Sequence, residues 1–147
     1  MKFFIYWGSK IIIPFVKLYW FIFKPNIYGV KCVIEFNGKI LLVRHSYGKH
    51  AWSFPGGGIK KGEKPEVAAK REIAEELGIN LYEIQYLGNF LNTSDYVNDH
   101  VYCFYGEVEN EYFVIDNKEI LEAEWFAMEN LPNLSEKNSK LLDMWKK

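Results

Sequence analysis

The stretch GGGIKKGEKPEVAAKREIAEELGI, from Gly56 to Ile79, constrains the fold of this chain more than any other segment. Its glycines predict a loop whose backbone can approach other groups closely. Pro65 is a favourable first residue for a helix and Gly78 a favourable terminator, so the sequence predicts a helix from Pro65 to Leu77. The segment therefore predicts a loop followed by a helix with a defined start and end.

Three carboxylates on this helix need an explanation. Glu72, Glu75 and Glu76 fall within about one third of the helix circumference, on a face that we expect to be partly exposed, and like charges at these spacings repel. A hard divalent cation such as Mg²⁺, which prefers oxygen ligands, would compensate the repulsion. The competing interpretation is a solvated charged face on which Arg71 pairs with Glu75.

Composition sets the outer limits. The 147 residues suit one domain with a sizeable core. A hydrophobic content of 49% with 25% charged residues excludes a disordered or fibrous protein. The net charge of -1 gives no reason to expect a nucleic-acid partner. Cys32 and Cys103 are far apart in the sequence, which predicts neither a zinc site nor a disulfide framework and favours a cytoplasmic location.

Turn and strand signals place further elements around the helix. Asn37 and Gly38 predict a hairpin turn between the strands VKCVIEF and KILLVRH, and NIYGV before them indicates a break. Further strands are predicted in LYEIQYLGNFL, HVYCFYGEV and AEWFAM, and a last helix is predicted after the favourable cap Ser135. The order β-β-helix-β-β-β-helix predicts an α+β or a layered α/β/α fold.

The N-terminal segment differs in character from the rest. Residues 3–24 are rich in aromatic residues and isoleucine, contain no acid, and place three lysines in one stripe of a predicted helix. We expect an apolar and basic helix in residues 1–27 and a folded domain in residues 28–147. Two interpretations of the helix stay open. It lies on the inner face of a membrane, or it packs on the domain or on a second copy in a homodimer.

The spacing of residues around the acidic helix resembles the Nudix box. From Gly57, five residues lead to Glu63 and seven more lead to Arg71, which is followed by EIAEELGI. Every defining position of the box is matched. WSFPGG before the box and EILEAEWFAMENLP after it are similar to the segments that flank it in the family, so the resemblance covers about residues 29–132.

The resemblance implies a Nudix-type α/β/α sandwich with a mixed sheet, which hydrolyses a nucleoside diphosphate linked to another group. It also implies a Mg²⁺ or Mn²⁺ site with four ligands: the Gly56 carbonyl, Glu72, Glu75 and Glu76. Arg71 would orient Glu63 or Glu75. Metal ions neutralise pyrophosphate oxygens and lower the pKa of the attacking water, so the chemistry agrees with these ligands.

The remaining roles are less closely tied to the box. The general base is either a box glutamate or an acid on a later loop, where Glu119 and Glu122 are candidates and Glu122 has a structural role as its alternative. The predicted catalytic residues are Glu75, Glu76, Glu119 and Arg71. Arg44, Tyr47 and Trp52 are predicted to bind the substrate by phosphate contacts and base stacking, with a core position as the alternative for the aromatic rings.

A second class of function is a Nudix-fold module that senses a nucleotide without cleaving it. Such modules usually lose box glutamates, whereas this chain keeps all of them. The enzyme is therefore the favoured interpretation, and metal-dependent phosphate release would distinguish the two.

Overall fold

The computed structural model describes residues 14–147, so the first part of the predicted N-terminal helix lies outside the described residues. Residues 14–23 are helical (α1). Further helices are α2, Pro65–Leu77, and α3, Glu136–Lys146. The strands are β1 Asn26–Phe36, β2 Lys39–His45, β3 Trp52–Ser53, β4 Gln85–Asn92, β5 Asn98–Glu107 and β6 Ile120–Ala127.

The strands form one mixed sheet. Hydrogen-bonded neighbours follow the order β3-β2-β1-β5-β4, and β6 pairs with β2. Strand β1 runs parallel to β5, whereas β4 pairs antiparallel with β5 and β6 pairs antiparallel with β2. Helix α2 packs on one face of the sheet and α3 packs on the other. This is the predicted layered α/β/α arrangement.

The turn between β1 and β2 has the conformation that the sequence predicts. Asn37 and Gly38 have positive φ angles of 48° and 76°, as a tight hairpin turn requires. Phe36 lies opposite Lys39, and the two strands remain paired for one further residue pair. Beyond that point they separate, which leaves an edge of β1 open to another segment.

The loop before α2 occupies that edge of β1. The Val30 amide donates a hydrogen bond to the Gly57 carbonyl, and the Cys32 amide donates one to the Pro55 carbonyl, both over 2.9 Å. These bonds fix the glycine loop to a central strand of the sheet.

The core lies on both faces of β1. Cys32 packs with Ile73 of α2 on one face, and Val33 packs with Leu141 of α3 on the other. Because successive side chains of a strand point to opposite faces, a strand covered on both faces is apolar along most of its length. Lys31 breaks this rule in the middle of β1.

Two element boundaries differ from the prediction. The prediction of a break at NIYGV is wrong, because these residues belong to β1 and pair in parallel with β5, starting with Asn26 opposite Asn98. In LYEIQYLGNFL the strand begins only at Gln85. The predicted cap of the last helix is confirmed, since Ser135 Oγ accepts a hydrogen bond from the Asn138 amide.

Helix α1 leaves apolar side chains uncovered. The exposed residues are Phe15, Val16, Leu18, Tyr19, Phe21, Ile22 and Phe23. The Phe21 ring meets the Tyr96 ring edge-on, with centroids 5.3 Å apart. Within residues 14–147, no helix combines the length and the hydropathy needed to cross a bilayer. The helix therefore touches the domain through Phe21 and presents apolar surface elsewhere.

Candidate active site

The glycine loop and α2 meet at Glu76. Helix α2 has the predicted bounds, and Gly78 ends it with a φ of 63°. The Gly56 amide donates a hydrogen bond to Glu76 Oε2 over 3.0 Å. Gly56 has a φ of 149°, and a Cβ atom on it would lie 2.0 Å from the Val30 carbonyl oxygen. The loop therefore requires glycine at this position.

The next glycine makes room for a second carboxylate. A Cβ atom on Gly57 would lie 2.4 Å from the Glu72 carboxylate. Glu72 and Glu76 are only 9% and 2% exposed, whereas the Glu75 side chain is 55% exposed. The expectation that Glu76 lies on a partly exposed helix face is wrong, because the glycine loop covers it. Helix α2 presents two carboxylates to the loop and one to solvent.

Arg71 ties the loop to these carboxylates. Its Nε and Nη2 atoms donate to the two Glu63 oxygens over 2.7 and 2.9 Å, the bidentate arrangement that suits a carboxylate. Its Nη1 donates to Glu72 over 2.7 Å and lies 3.3 Å from a Glu75 oxygen. The hydrogen bonds from Arg71 lower the pKa of Glu63 to about 2. Arg71 therefore holds Glu63 and Glu72 more closely than Glu75.

Glu76 lies in an environment that disfavours its negative charge. Burial raises the pKa of its carboxyl to about 7, and the negative charges of Glu72 and Glu119 act in the same direction. The Lys31 ammonium and the hydrogen bond from Gly56 oppose this rise in pKa. A buried carboxyl among other carboxylates favours a proton or a metal cation beside it.

Glu119, a predicted general base, lies on the loop directly before β6. Its carbonyl accepts a hydrogen bond from the Ser46 amide over 2.8 Å, which fixes this loop beside the end of β2. Burial raises the pKa of Tyr47, and the charges of Glu76 and Glu119 raise it further. Glu119, Glu76 and Tyr47 therefore occupy the same region.

A cleft of about 490 Å³ opens beside the glycine loop. Besides the three loop glycines, its lining includes Tyr28, Lys31, His45, Tyr47, Asp99 and Lys137. A larger groove of about 1000 Å³ lies at the hairpin end of the sheet. No α2 carboxylate lines either one, but the candidate ligand Gly56 lines the smaller cleft. The smaller cleft is therefore the one that adjoins the candidate metal ligands.

The predicted substrate-binding residues divide into two places. Tyr47 lines the cleft. Arg44 pairs with Glu122 over 3.1 Å and lies over the Trp52 ring, with its guanidinium carbon 5.4 Å from the ring centroid. Trp52 in turn packs edge-on against Phe126. Arg44, Trp52 and Glu122 thus form a cluster of their own, outside the cleft lining.

The charged residues of the cleft lining, Lys31, Asp99 and Lys137, were not among the predicted site residues. The sequence contains a signal for Lys31, because a lysine interrupts the otherwise apolar run VKCVI of a central strand. Asp99 and Lys137 lie in the polar segments NTSDYVND and SEKNSK, where nothing distinguishes them from ordinary surface residues.

The donor set suits a hard divalent cation. Glu72, Glu76 and the Gly56 backbone offer oxygen atoms, the ligand type that Mg²⁺ and Mn²⁺ prefer. Within residues 14–147, no three His, Cys, Asp or Glu side chains converge as a preformed metal cluster. Two buried carboxylates and an exposed third therefore fit an ion such as Mg²⁺, which usually completes its shell with water and substrate phosphate.

Known proteins resemble this chain in sequence and in fold. The RNA pyrophosphohydrolase of Yersinia enterocolitica is 41% identical over 70 residues, which cover 48% of this chain and 38% of that protein. The match thus spans well under half of the relative's length. A MutT NUDIX hydrolase from Burkholderia pseudomallei superposes with a TM-score of 0.72 at 24% identity and covers 81% of this chain and 97% of its own.

The NUDIX domain of Shewanella oneidensis NrtR, complexed with ADP ribose, superposes equally well. Its TM-score is 0.72 at 20% identity, with 85% of this chain and 89% of that chain covered. These superpositions confirm the predicted Nudix-type fold. The family model described as NUDIX domain matches residues 25–145, a range that includes the glycine loop, α2 and α3 up to residue 145. The chain therefore belongs to the Nudix family.

Proposed function

We propose that this protein is a metal-dependent hydrolase that cleaves the pyrophosphate of a nucleoside diphosphate linked to another moiety. The observation that carries the proposal is the Glu76 carboxylate, which is buried under the glycine loop, held by the Gly56 amide and close to the buried Glu72. Membership of the Nudix family and the likeness to an RNA pyrophosphohydrolase support cleavage of a phosphoanhydride bond.

The charged residues that define the box pattern then have roles in this reaction. The proposed Mg²⁺ or Mn²⁺ ligands are the Gly56 carbonyl, Glu72, Glu75 and Glu76. A metal ion held there would neutralise pyrophosphate oxygens and lower the pKa of water. Arg71 keeps Glu63 and Glu72 in place through the hydrogen bonds described above.

We place the general base beside Glu76 and one substrate contact in the wall of the cleft. Glu119 is exposed on its loop and near Glu76, so its carboxylate can accept the proton of the attacking water. The box carboxylate Glu75, which is also exposed, is the alternative base. Tyr47 offers a ring to the nucleotide base from the cleft wall. Arg44 and Trp52 contact the substrate only where it extends beyond the cleft.

Formation of the nucleoside monophosphate from a panel of nucleoside diphosphate derivatives, measured with Mg²⁺, with Mn²⁺ and with a chelator, tests the proposal. Glu76→Gln should lower kcat by a factor on the order of 10² or more, because the substitution removes a metal-binding charge and changes almost no volume. Glu66→Gln, in the first turn of the same helix, is the matched control and should keep wild-type turnover.

The competing function is a module that binds a nucleotide derivative without cleaving it. ADP ribose in the Nudix domain of NrtR supports a nucleotide derivative as the ligand in either case. The retained set of box glutamates favours the hydrolase. Tight binding of a panel compound with no metal-dependent cleavage of any compound would establish the competing function instead.

We further propose that α1 holds the protein at the inner, cytoplasmic face of a membrane. Exposed apolar side chains on α1, with Lys17 in the helix, Lys24 directly after it and no acid in either, support contact with an anionic lipid surface. Cys32 and Cys103 are both buried and unpaired, which agrees with a reducing compartment. A homodimer that covers the same side chains is the competing interpretation.

A further inference from the structure

Two lysines line the cleft on the side of the sheet that faces α3. Lys31 projects from β1, and Lys137 lies in the first turn of α3. Lys31 Nζ donates a hydrogen bond to the Phe54 carbonyl over 2.7 Å. Lys137 Nζ pairs with Asp99, a carboxylate on β5 that is only 7% exposed. Both ammonium groups are therefore held in place by the fold before any ligand binds.

The positive charge of this pair is only partly compensated. Asp99 pairs with Lys137, while within residues 14–147 Lys31 has the Phe54 carbonyl as its hydrogen-bond acceptor and no carboxylate within salt-bridge distance. A lysine ammonium has three donors, so donors of Lys31 remain for a ligand. Burial, together with the charge of Lys137, lowers the pKa of Lys31 to about 8. An anion near both ammonium groups would offset the cost of burying the Lys31 charge and its repulsion by Lys137.

The position of Lys31 and Lys137 beside the glycine loop indicates which kind of anion they bind. Lys31, Lys137 and the glycines from Gly56 to Gly58 line the same cleft, and the Lys31 charge acts on Glu76. A group held by the lysines is thus a close neighbour of the candidate metal ligands. In a 5′-triphosphate that is cleaved between the α- and β-phosphates, the terminal phosphate is one unit away from the scissile bond and is such a group.

We infer that Lys31 and Lys137 bind the terminal phosphate of the substrate, so that the protein prefers a 5′-triphosphate, on a free nucleotide or on an RNA end, over a nucleoside diphosphate capped by a sugar. This inference rests on the proposed pyrophosphate hydrolysis and names the substrate class of the same site. A terminal phosphate carries more negative charge than an esterified one, and lysine binds phosphate well as a point charge.

A positioning role for Lys31 is the competing explanation. Phe54 donates its amide to Asn138 Oδ1 over 3.2 Å and accepts from Lys31, so Lys31 also fixes the chain that leads into the glycine loop. Loss of that contact would impair the hydrolysis of every substrate alike. Within residues 14–147, Lys137 makes no hydrogen bond to the loop. A substitution of Lys137 therefore tests phosphate binding without removing a contact that positions the loop.

The experiment compares two adenosine substrates that differ in their terminal group, ATP and ADP-ribose, by measuring kcat and KM with Mg²⁺. Lys31→Met and Lys137→Met should raise KM for ATP by about 10- to 100-fold, the scale of a lost charge-assisted hydrogen bond, and should leave KM for ADP-ribose unchanged. Lys140→Met is the matched control, because Lys140 lies on the same helix and outside the cleft lining. Equal effects on both substrates, or no effect of Lys137→Met, would overturn the inference.

A parallel arm replaces ATP with an RNA oligonucleotide that carries a 5′-triphosphate. Cleavage of the RNA with the same dependence on both lysines assigns the terminal phosphate to an RNA end. Cleavage of ATP alone assigns it to a free nucleotide. Efficient cleavage of ADP-ribose with poor cleavage of both triphosphates would refute the inference and leave the proposed hydrolase function intact.

A binding measurement keeps the inference testable even if no substrate in the panel is cleaved. Imidodiphosphate, a pyrophosphate analogue that resists hydrolysis, is titrated calorimetrically into the protein with Mg²⁺. Lys31→Met and Lys137→Met should raise Kd about tenfold or more, and Lys140→Met should leave it unchanged. Unchanged affinity in both cleft variants would rule out the phosphate site, whereas weakened affinity without turnover supports it and refutes only the hydrolase.

Discussion

Arg71 holds Glu63 with two hydrogen bonds, from Nε to Oε1 and from Nη2 to Oε2. The same guanidinium donates to the Gly58 carbonyl and to Glu72, so one side chain joins the loop to α2. A lysine has a compact ammonium and cannot replace a planar group with several fixed donors. Arg71 is thus the physical link between the loop and the candidate metal ligands.

We expect Arg71→Lys to reduce both stability and turnover. Lost hydrogen bonds to charged partners should lower the free energy of unfolding by about 1–3 kcal/mol in urea titrations. Turnover should fall because Glu72 loses a contact that fixes its carboxylate. Arg44→Lys is the control for stability, since its partner Glu122 is half-exposed and such pairs contribute about 0–1 kcal/mol. Similar losses of stability in the two variants would contradict the special role of Arg71.

The glycine loop offers a matched pair of alanine substitutions. Gly56→Ala should lower the melting temperature and abolish turnover, because its Cβ would overlap the Val30 carbonyl at a φ that alanine rarely adopts. Gly58→Ala should be tolerated, since nothing lies within 4 Å of a Cβ atom there. Thermal melts and assays of nucleoside monophosphate formation by the two variants measure both effects. A stable, active Gly56→Ala protein would show that the loop adopts another conformation.

The substitution Glu76→Gln should change the melting temperature in opposite directions with and without metal. Its pKa rises on folding from 4.5 to about 7, so the metal-free fold loses stability as the pH increases through this interval. Glutamine keeps an acceptor for the Gly56 amide and carries no charge. Metal-free Glu76→Gln should therefore melt above the wild type at pH 8 and close to it at pH 4.5.

Mg²⁺ should reverse this order. It should raise the melting temperature of the wild type and have a much smaller effect on Glu76→Gln, because binding to the folded state alone stabilises it. Differential scanning fluorimetry at the two pH values, with Mg²⁺ and with a chelator, measures all four combinations. A lower melting temperature of metal-free Glu76→Gln at pH 8 would assign Glu76 a structural role instead.

The elements that local signals specify could be predicted from the sequence. Pro65 and Gly78 set the ends of α2 through backbone preferences of their own, and the Asn37-Gly38 turn follows from the positive φ angles that both residues tolerate. The start of β1 at Asn26 could not be predicted in this way, because it depends on parallel pairing with the distant β5.

In the candidate site, too, the local features could be predicted from the sequence and the features that depend on distant contacts could not. The spacing from Gly57 to Glu76 is local and identifies the carboxylates, but the burial of Glu72 and Glu76 depends on the docking of the glycine loop along β1. The approach of Lys137 to the cleft likewise requires α3 to pack on the sheet. Non-local contacts of this kind decide which charged residues face the ligand, and no short pattern encodes them.

Helix α1 should bind anionic vesicles through its apolar side chains. We expect the full chain to co-sediment with phosphatidylglycerol vesicles at low salt, and less with phosphatidylcholine vesicles or at high salt, because each lysine near an anionic surface contributes about 1 kcal/mol. Leu18→Glu combined with Ile22→Glu should abolish the binding, since it places charge where α1 presents exposed apolar side chains.

Tyr112→Glu combined with Val114→Glu is the control for this experiment. It adds the same charge at two exposed apolar residues far from α1 in the sequence, and it should leave vesicle binding unchanged. Size-exclusion chromatography of the same proteins tests the homodimer. If the wild type stays in the supernatant and elutes as a dimer, and the α1 variant elutes as a monomer, then a second copy covers the helix. Vesicle binding that the α1 variant loses and the control retains assigns the apolar surface to lipid, because both proteins carry the same net charge.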